Sequence, residues 1–236
     1  MTEEIFRQDS YAKSCEARVA AVDGMGLRLD RTVFYPEGGG QPGDTGALSF
    51  ADGRVVPIID TKKHPADGTP VHVPAPGAPE VKPGEALVAT VDWARRHRLM
   101  RMHTALHVMC AVIPGSVTGG GLADGKGRID FDLPDASLDK DRIAAEMNRI
   151  IREDHAVRVR WIADEELDAK PELIRTMSVK PPSGTGRVRV LEIEGIDLQP
   201  CGGTHVARTG EIGPVKVTKI ENKGRHNRRV NIAFDE

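Results

Sequence analysis

Residues 101–110 have the sequence RMHTALHVMC, which sets His103 and His107 four residues apart in a segment with a helical pattern. Side chains four residues apart lie on one face of a helix, so both imidazoles can reach one metal ion. Much later in the chain, the segment CGGTH places Cys201 and His205 four residues apart. Three imidazoles and one thiolate suit Zn²⁺, which accepts nitrogen and sulfur ligands in a tetrahedron. The sequence therefore predicts one zinc site.

The spacing leaves the type of zinc site open. Four protein ligands would make a closed structural site, whereas three ligands and a water would make a catalytic one, with His205 standing back as a base. A zinc peptidase of the HExxH type is excluded because it needs a glutamate directly after the first histidine, where this chain has Thr104. Thr104 is interpreted either as a packed helical threonine or as a substrate contact at the edge of the site.

Composition limits the possible partners. The chain has 236 residues, 39% of them hydrophobic and 29% charged, which is typical of a globular protein. A net charge of -2 excludes nucleic-acid binding through overall basic charge, so any such binding needs local patches. Two basic clusters qualify: Arg95, Arg96, Arg98 and Arg101 at the start of the predicted metal helix, and Lys223, Arg225, Arg228 and Arg229 near the C-terminal end. We expect the second cluster to contact phosphates.

Three cysteines without regular spacing argue against a disulfide framework and are typical of the reducing cytosol. The polar, acidic first residues predict no signal peptide, and no apolar run approaches the roughly 20 residues of a membrane span. We therefore expect a cytoplasmic protein.

The N-terminal part has the pattern of short strands joined by tight turns. Asp23-Gly24 and Asp52-Gly53 are hairpin signals, and between them lies the glycine-rich segment FYPEGGGQPGDTG, residues 34–46. This segment is either a turn-rich barrel corner or a backbone surface that a substrate approaches, with Gln41 as a polar contact. Residues 64–85 are rich in proline and glycine and predict a loop with a short edge strand at 71–73. The pattern favours a small barrel or sandwich over residues 1–88.

The C-terminal part, residues 89–236, predicts an antiparallel sheet with helices. Asp92 is a suitable N-cap for a long helix that ends before Pro114, and Ser137 is expected to cap a second helix that ends near residue 153. Residues 115–127 predict a flexible glycine-rich loop. The fold class is therefore α+β, with a small β-barrel-like domain followed by an antiparallel-sheet-plus-helix domain. In the second domain we expect a short helix at 164–170 and strands at 128–132, 157–162, 188–193, 215–220 and 229–234.

Taken together, FYPEGGGQPGDTG, HTALH, CGGTHV and ENKGRHNRR resemble the editing domain of alanyl-tRNA synthetase. More closely they resemble the free-standing AlaX-type alanyl-tRNA editing proteins, in the medium-length form that carries a small β-domain before the editing domain. The resemblance extends from about residue 14 to the end. The related editing domain of threonyl-tRNA synthetase shares the HxxxH and CxxxH motifs but lacks the glycine-rich segment.

The resemblance implies zinc held among His103, His107, Cys201 and His205. It also implies hydrolysis of the ester that joins a wrong amino acid to the 3′ end of alanine tRNA, chiefly serine, with glycine as a second candidate. Gln41 and Thr104 match polar active-site positions of the family, and His205 is the candidate base.

The sequence leaves three alternatives open. The first is a non-catalytic tRNA-binding module with a structural zinc. The second is editing of another mischarged tRNA, against which the glycine-rich segment argues. The third is a general metallohydrolase of small esters, against which the basic clusters argue.

Overall fold

The computed structural model describes residues 2–133, 137–175 and 186–236. By the density of backbone contacts the chain divides into two compact units, 1–97 and 98–236. The division falls within the first long helix, α1, at Trp93–Val112. The expected domain boundary at residue 88, between a domain of 1–88 and one of 89–236, stays a prediction.

The first unit is built on a closed antiparallel β-barrel. Its strands follow each other around the barrel in the order β2-β3-β7-β6-β5-β8, and β8 pairs back with β2. A small parallel pair, β1 with β4, completes the unit. The strands are β1 (Glu3–Glu4), β2 (Ser14–Asp23), β3 (Gly26–Leu29), β4 (Arg31–Thr32), β5 (Gly46–Phe50), β6 (Val55–Lys63), β7 (Pro70–Pro74) and β8 (Ala86–Val91).

Alternation of apolar and polar residues explains the barrel. In β8 every second residue is buried, and β6 alternates in the same way over most of its length. Since successive strand side chains point to opposite faces, this pattern supplies one apolar interior face. The expected edge strand at 71–73 is wrong in one respect: β7 pairs with both β3 and β6 and is an interior member of the closed barrel.

The glycine-rich segment 34–46 lies tightly against the barrel. A side chain at Gly43 would come within 2.0 Å of the Thr61 carbonyl oxygen, and one at Gly46 within 2.1 Å of the Thr90 carbonyl oxygen. These two glycines are therefore required for packing inside the unit, as the barrel-corner interpretation expects.

In its described residues, the second unit contains two antiparallel sheets and further helices. One sheet has the order β14-β15-β10-β9, and the other β11-β12-β13. The elements are β9 (Ser116–Ala123), β10 (Lys126–Asp132), α2 (Lys140–Glu153), β11 (Val157–Ala163), α3 (Asp164–Asp168), β12 (Arg187–Ile193), β13 (Asp197–Pro200), β14 (Val215–Asn222) and β15 (Asn227–Phe234). The two units confirm the α+β fold class, with a barrel followed by antiparallel sheets and helices.

Two local expectations in this unit are wrong. Residues 115–127 form most of the β9–β10 hairpin instead of a flexible loop, because pairing along β10 outweighs the low strand propensity of glycine. A side chain at Gly127 would come within 3.0 Å of Leu106 and Met102 on α1, so this glycine lets the sheet approach the helix. The cap of α2 is Asp139, not Ser137: its carboxylate accepts hydrogen bonds from the backbone N–H groups of Asp141 and Arg142.

Helix α1 begins where the sequence predicts. The Asp92 carboxylate accepts a hydrogen bond from the Arg95 backbone N–H at 3.1 Å, which is an N-cap contact. Among the described residues, no helix has both the length and the apolar character that a membrane span needs.

Candidate metal centre

The four predicted ligands come from α1 and from the loop after β13. His103 and His107 occupy successive turns of one helix face, and Cys201 and His205 follow the end of β13. Arg189 holds this loop in place: its carbonyl accepts from the Cys201 N–H at 3.2 Å, and its guanidinium donates to the Cys201 carbonyl at 2.6 Å. The structure therefore brings together the two halves of the motif.

The donor atoms lie at metal-binding distances. All four lie within 4.8 Å of one another. Cys201 Sγ is 3.6 Å from His103 Nε2 and 3.5 Å from His205 Nε2. Zinc–ligand bonds of about 2.0–2.3 Å place the donors of a tetrahedral site roughly 3.3–3.8 Å apart, so these separations fit a zinc ion. One sulfur and three nitrogens also disfavour Mg²⁺ and Ca²⁺, which prefer oxygen.

Cys201 is the least buried of the four ligands. His103, His107 and His205 are buried, whereas Cys201 is partly exposed. Of the four ligands, Cys201 is therefore the residue nearest to solvent.

Electrostatics in the cluster favour a thiolate among imidazoles. Burial by itself raises the pKa of the Cys201 thiol, but the surrounding imidazoles outweigh it and hold that pKa well below its usual range. Burial lowers the pKa of His205 to about 3, which keeps this ring neutral. By contrast, burial raises the pKa of Cys110 to about 12, so this thiol stays protonated. Cys201 is thus distinguished from Cys110 as a ligand.

A buried carboxylate lies behind His107. Asp197 Oδ2 is 3.5 Å from His107 Nδ1 and accepts a hydrogen bond from the Gln199 amide at 2.6 Å. Burial lowers the pKa of His107, but the charges of Cys201 and Asp197 outweigh it and raise that pKa to about 9, so a metal ion would displace a proton. A carboxylate on the far nitrogen of a ligating histidine orients the ring toward the metal.

Thr104 is fully buried and hydrogen-bonded within the second unit. Its hydroxyl donates to the Met100 carbonyl at 2.9 Å and accepts from the Val206 N–H at 3.2 Å. These bonds tie α1 to the residue that follows His205. They match the packed interpretation of Thr104, and its proposed contact with substrate stays a prediction.

Gln41 belongs to the first unit, where it is buried. Its backbone N–H and carbonyl form a tight bridge with Gly38, at 3.0 and 3.1 Å. The role predicted for its side chain stays a prediction.

The C-terminal basic cluster lies at the tip of the β14–β15 hairpin. Lys223 is 3.2 Å from Glu221, and Arg229 forms two hydrogen bonds with Asp130 at 2.6 and 2.9 Å. Arg228 donates to nearby backbone carbonyls. Arg225 is exposed and forms no hydrogen bond or ion pair with the residues that the structure describes. Of the four, Arg225 is the most available for a phosphate, and the tRNA contact of the cluster stays a prediction.

The basic cluster at the start of α1, Arg95 to Arg101, includes one arginine that cannot bind a phosphate. Arg96 is fully buried and paired with Asp44 inside the first unit. Arg98 and Arg101, in the second unit, both pair with Glu236. The expectation that this cluster acts together on nucleic acid is therefore wrong for Arg96, since its charge is used inside the fold.

Sequence reasoning missed three side chains beside the centre: Asp197, Gln199 and Arg189. The signal for Asp197 was its place in the segment IDLQPCGGTH, four residues before a ligand on an alternating strand. Arg189 lies in a strand that was predicted, but only the register of β12 shows that it supports Cys201.

Comparison with known proteins identifies the family. The family model "Threonyl and Alanyl tRNA synthetase second additional domain" matches residues 188–231, and the model "tRNA synthetases class II (A)" matches residues 4–95. The chain is 39% identical to Alanyl-tRNA editing protein AlaX-M of Methanosarcina acetivorans, over 98% of both chains. It is 35% identical to the protein of the same name from Saccharolobus solfataricus, again over 98% of both.

The chain also resembles part of a larger enzyme. It is 37% identical to alanine–tRNA ligase of Pyrobaculum neutrophilum, and the match spans 93% of this chain but 25% of the ligase. The similarity to the editing proteins, in contrast, is end to end. This chain belongs to the AlaX-M family of alanyl-tRNA editing proteins.

Proposed function

We propose that this protein is a trans-editing hydrolase that deacylates mischarged tRNA(Ala). Its substrates are chiefly seryl-tRNA(Ala) and secondarily glycyl-tRNA(Ala), and it spares alanyl-tRNA(Ala). The observation that carries the proposal is the cluster of His103, His107, Cys201 and His205. It lies in a chain that matches proteins named alanyl-tRNA editing proteins over nearly their whole length. Its substrate and its free cysteines agree with the cytoplasm.

The physical need for a second site supports this substrate class. A pocket built for alanine admits glycine, and it discriminates against one extra hydroxyl by only about 1–3 kcal/mol. An editing site with a polar group that expects a hydroxyl can accept serine and reject alanine, because alanine leaves that group unpaired.

The metal in this proposal is one Zn²⁺ per chain, held by His103, His107, Cys201 and His205. When bound, zinc supplies Lewis acidity, which polarises an ester carbonyl or lowers the pKa of a water molecule. The protein supplies the arrangement around it. Asp197 orients His107, and Arg189 fixes the Cys201 backbone.

Selection of serine is assigned to a polar side chain. The Thr104 hydroxyl already donates to Met100 and accepts from Val206, so a substrate hydroxyl would have to displace one of these bonds. Gln41 carries an amide that both donates and accepts, and it is the other candidate for the group that recognises the serine hydroxyl. The acceptor end of tRNA(Ala) is the proposed partner, with the hairpin tip around Arg225 as its phosphate contact.

The direct test compares hydrolysis of seryl-tRNA(Ala) and alanyl-tRNA(Ala) at catalytic concentrations of the full chain. We expect rapid loss of serine and retention of alanine. Absence of turnover on both substrates, in protein that contains zinc, would refute the proposal and favour a tRNA-binding module with a structural zinc.

A further inference from the structure

Trp161, on β11, exposes a large aromatic surface. Its side chain is 48% exposed, whereas tryptophan is usually mostly buried. In the part of the chain that the structure describes, its indole makes no ring–ring or cation–π contact. The fold does not use this side chain in its core.

The register of the sheet places Trp161 on the same face as the metal centre. Trp161 lies opposite Arg189 on β12, and the Arg189 carbonyl accepts from the Cys201 N–H. Residues directly opposite in an antiparallel pair point to the same face, and so do residues two apart along a strand. By this rule Trp161 shares its face with Arg189. Ile193, four residues further along β12, lies on that face too and is opposite Asp197, which contacts His107.

The other face of the sheet is occupied. Ile162, the neighbour of Trp161, packs with Leu167, Val188 and Val190 in a separate apolar cluster. Trp161 therefore projects from the face that carries the metal centre.

The distance between Trp161 and Cys201 matches the size of one nucleoside. Neighbouring strands lie about 4.8 Å apart, so the Trp161 backbone is roughly 10 Å from Cys201, with β12 between them. Cys201 is also the least buried member of the cluster. In an aminoacyl-tRNA, the ester and the base of the terminal nucleotide lie on opposite sides of one ribose. A substrate whose ester reaches the centre from the Cys201 side can therefore carry its base toward Trp161.

The charge on this face matches a nucleotide. Arg187 is exposed and lies on the metal-centre face of β12, whereas Arg189 on the same face is buried and donates to the Cys201 carbonyl. Positive charge beside an exposed aromatic ring is the usual combination for single-stranded nucleic acid, because bases stack and phosphates pair.

We propose that Trp161 is the surface on which the base of the 3′-terminal nucleotide of the aminoacyl-tRNA stacks while its ester lies at the metal centre. This inference rests on the proposed function, because it deepens the same site. A base stacked on Trp161 fixes the ribose and thereby the ester, so Trp161 is a substrate-binding residue with no part in the chemical step.

The first experiment measures steady-state hydrolysis of seryl-tRNA(Ala) by the wild type, Trp161→Ala and Trp161→Phe. Typical stacking contributions predict that Trp161→Ala raises KM by roughly 5- to 100-fold and leaves kcat within about twofold. Trp161→Phe keeps a stacking ring and should stay within about threefold of the wild type. Ile59→Ala removes an exposed apolar side chain of the barrel, 52% exposed, and is the matched control that should change neither constant.

Unchanged kinetic constants for Trp161→Ala would overturn the inference, provided that the wild type hydrolyses the substrate. Equal losses for the alanine and phenylalanine variants, together with lower metal content or thermal stability, would also overturn it, because they indicate a structural role. No hydrolysis by the wild type would instead refute the proposed function.

A second measurement does not need turnover. Trp161 and Trp93 are the two tryptophans of the chain, so Trp93→Phe leaves Trp161 as the single tryptophan, which can be excited selectively at about 295 nm or longer wavelengths. An RNA minihelix that ends in adenosine should quench its fluorescence, whereas the same minihelix without its terminal base should not. Equal responses to the two RNAs, or no response to either, would contradict stacking on Trp161.

Discussion

The buried ion pair between Arg96 and Asp44 offers a quantitative test of the first unit. Arg96 is 0% exposed and Asp44 1%. The guanidinium donates to both carboxylate oxygens, to the Val33 carbonyl at 2.6 Å and to the Ser10 carbonyl at 3.2 Å. This pair ties the first turn of α1 to the glycine-rich segment 34–46, so the perturbation is Arg96→Met.

The expected loss follows from what the substitution leaves behind. Asp44 would keep the Tyr35 N–H as a donor at 2.6 Å but would lose its positive partner, in a place that water does not reach. Removal of one partner from a buried pair costs about 3–5 kcal/mol, because an uncompensated charge stays buried. With a urea m-value of about 1–3 kcal/mol per M, the unfolding midpoint should fall by about 2 M.

The assay is urea unfolding of the full chain, followed by circular dichroism. Arg31→Met is the matched control, because Arg31 pairs with Glu3 at the surface, where both side chains are about half exposed. The loss of stability for Arg31→Met should be much smaller than that for Arg96→Met. The double variant Arg96→Met with Asp44→Leu should recover only part of the stability, because it removes the uncompensated charge but leaves the buried Tyr35 N–H and Val33 carbonyl unpaired. A loss for Arg96→Met no larger than that for Arg31→Met would refute the reasoning.

Three further predictions concern His72, Asp197 and Thr104. Burial lowers the pKa of His72 from 6.5 to about 4, so between these pH values the unfolded chain binds a proton that the folded chain does not. The contribution of His72 to stability should therefore be complete above pH 6.5 and fall by about 3 kcal/mol as the pH drops to 4. Unfolding measured at each pH tests this. Asp197→Asn should weaken metal binding about 10- to 100-fold in competition with a chromogenic chelator, because His107 loses its orienting carboxylate. Thr104→Val leaves the buried Val206 N–H without an acceptor, so the free energy of unfolding should fall by about 1–3 kcal/mol, measured by urea unfolding.

Each of these has a contrary outcome. A His72→Gln variant with the same dependence of stability on pH as the wild type would show that His72 is not the group that titrates. A chelator competition curve for Asp197→Asn equal to that of an exposed control, Glu194→Gln, would remove Asp197 from the metal centre. If Thr104→Val kept full stability but lost the preference for serine over alanine, Thr104 would be a substrate contact and not a structural tie.

The ligand cluster could be predicted because its signal is local. Each half of the cluster brings two donor atoms together within one short segment: the histidines at i and i+4 on a helix, and the CxxxH loop. Only the contact between these two halves depends on the fold. The barrel was also foreseeable, because its strands alternate and its turns carry Asp-Gly pairs.

The errors arose where distant parts of the chain decide the outcome. The glycines of residues 119–121 suggested a loop, but pairing with β10 holds them in a strand. Arg96 appeared as one of several surface arginines, and its burial depends on a carboxylate far away in the chain. Asp197 and Trp161 gain their significance from the register of β11, β12 and β13, which no local pattern specifies.

The most direct test of the account measures bound metal and hydrolysis in the same preparation of the full chain. We expect one zinc per chain, loss of seryl-tRNA(Ala) hydrolysis when a chelator removes it, recovery when zinc is returned, and neither metal nor activity in His107→Ala. Undiminished hydrolysis by metal-free protein would contradict the claim that His103, His107, Cys201 and His205 form a catalytic metal centre.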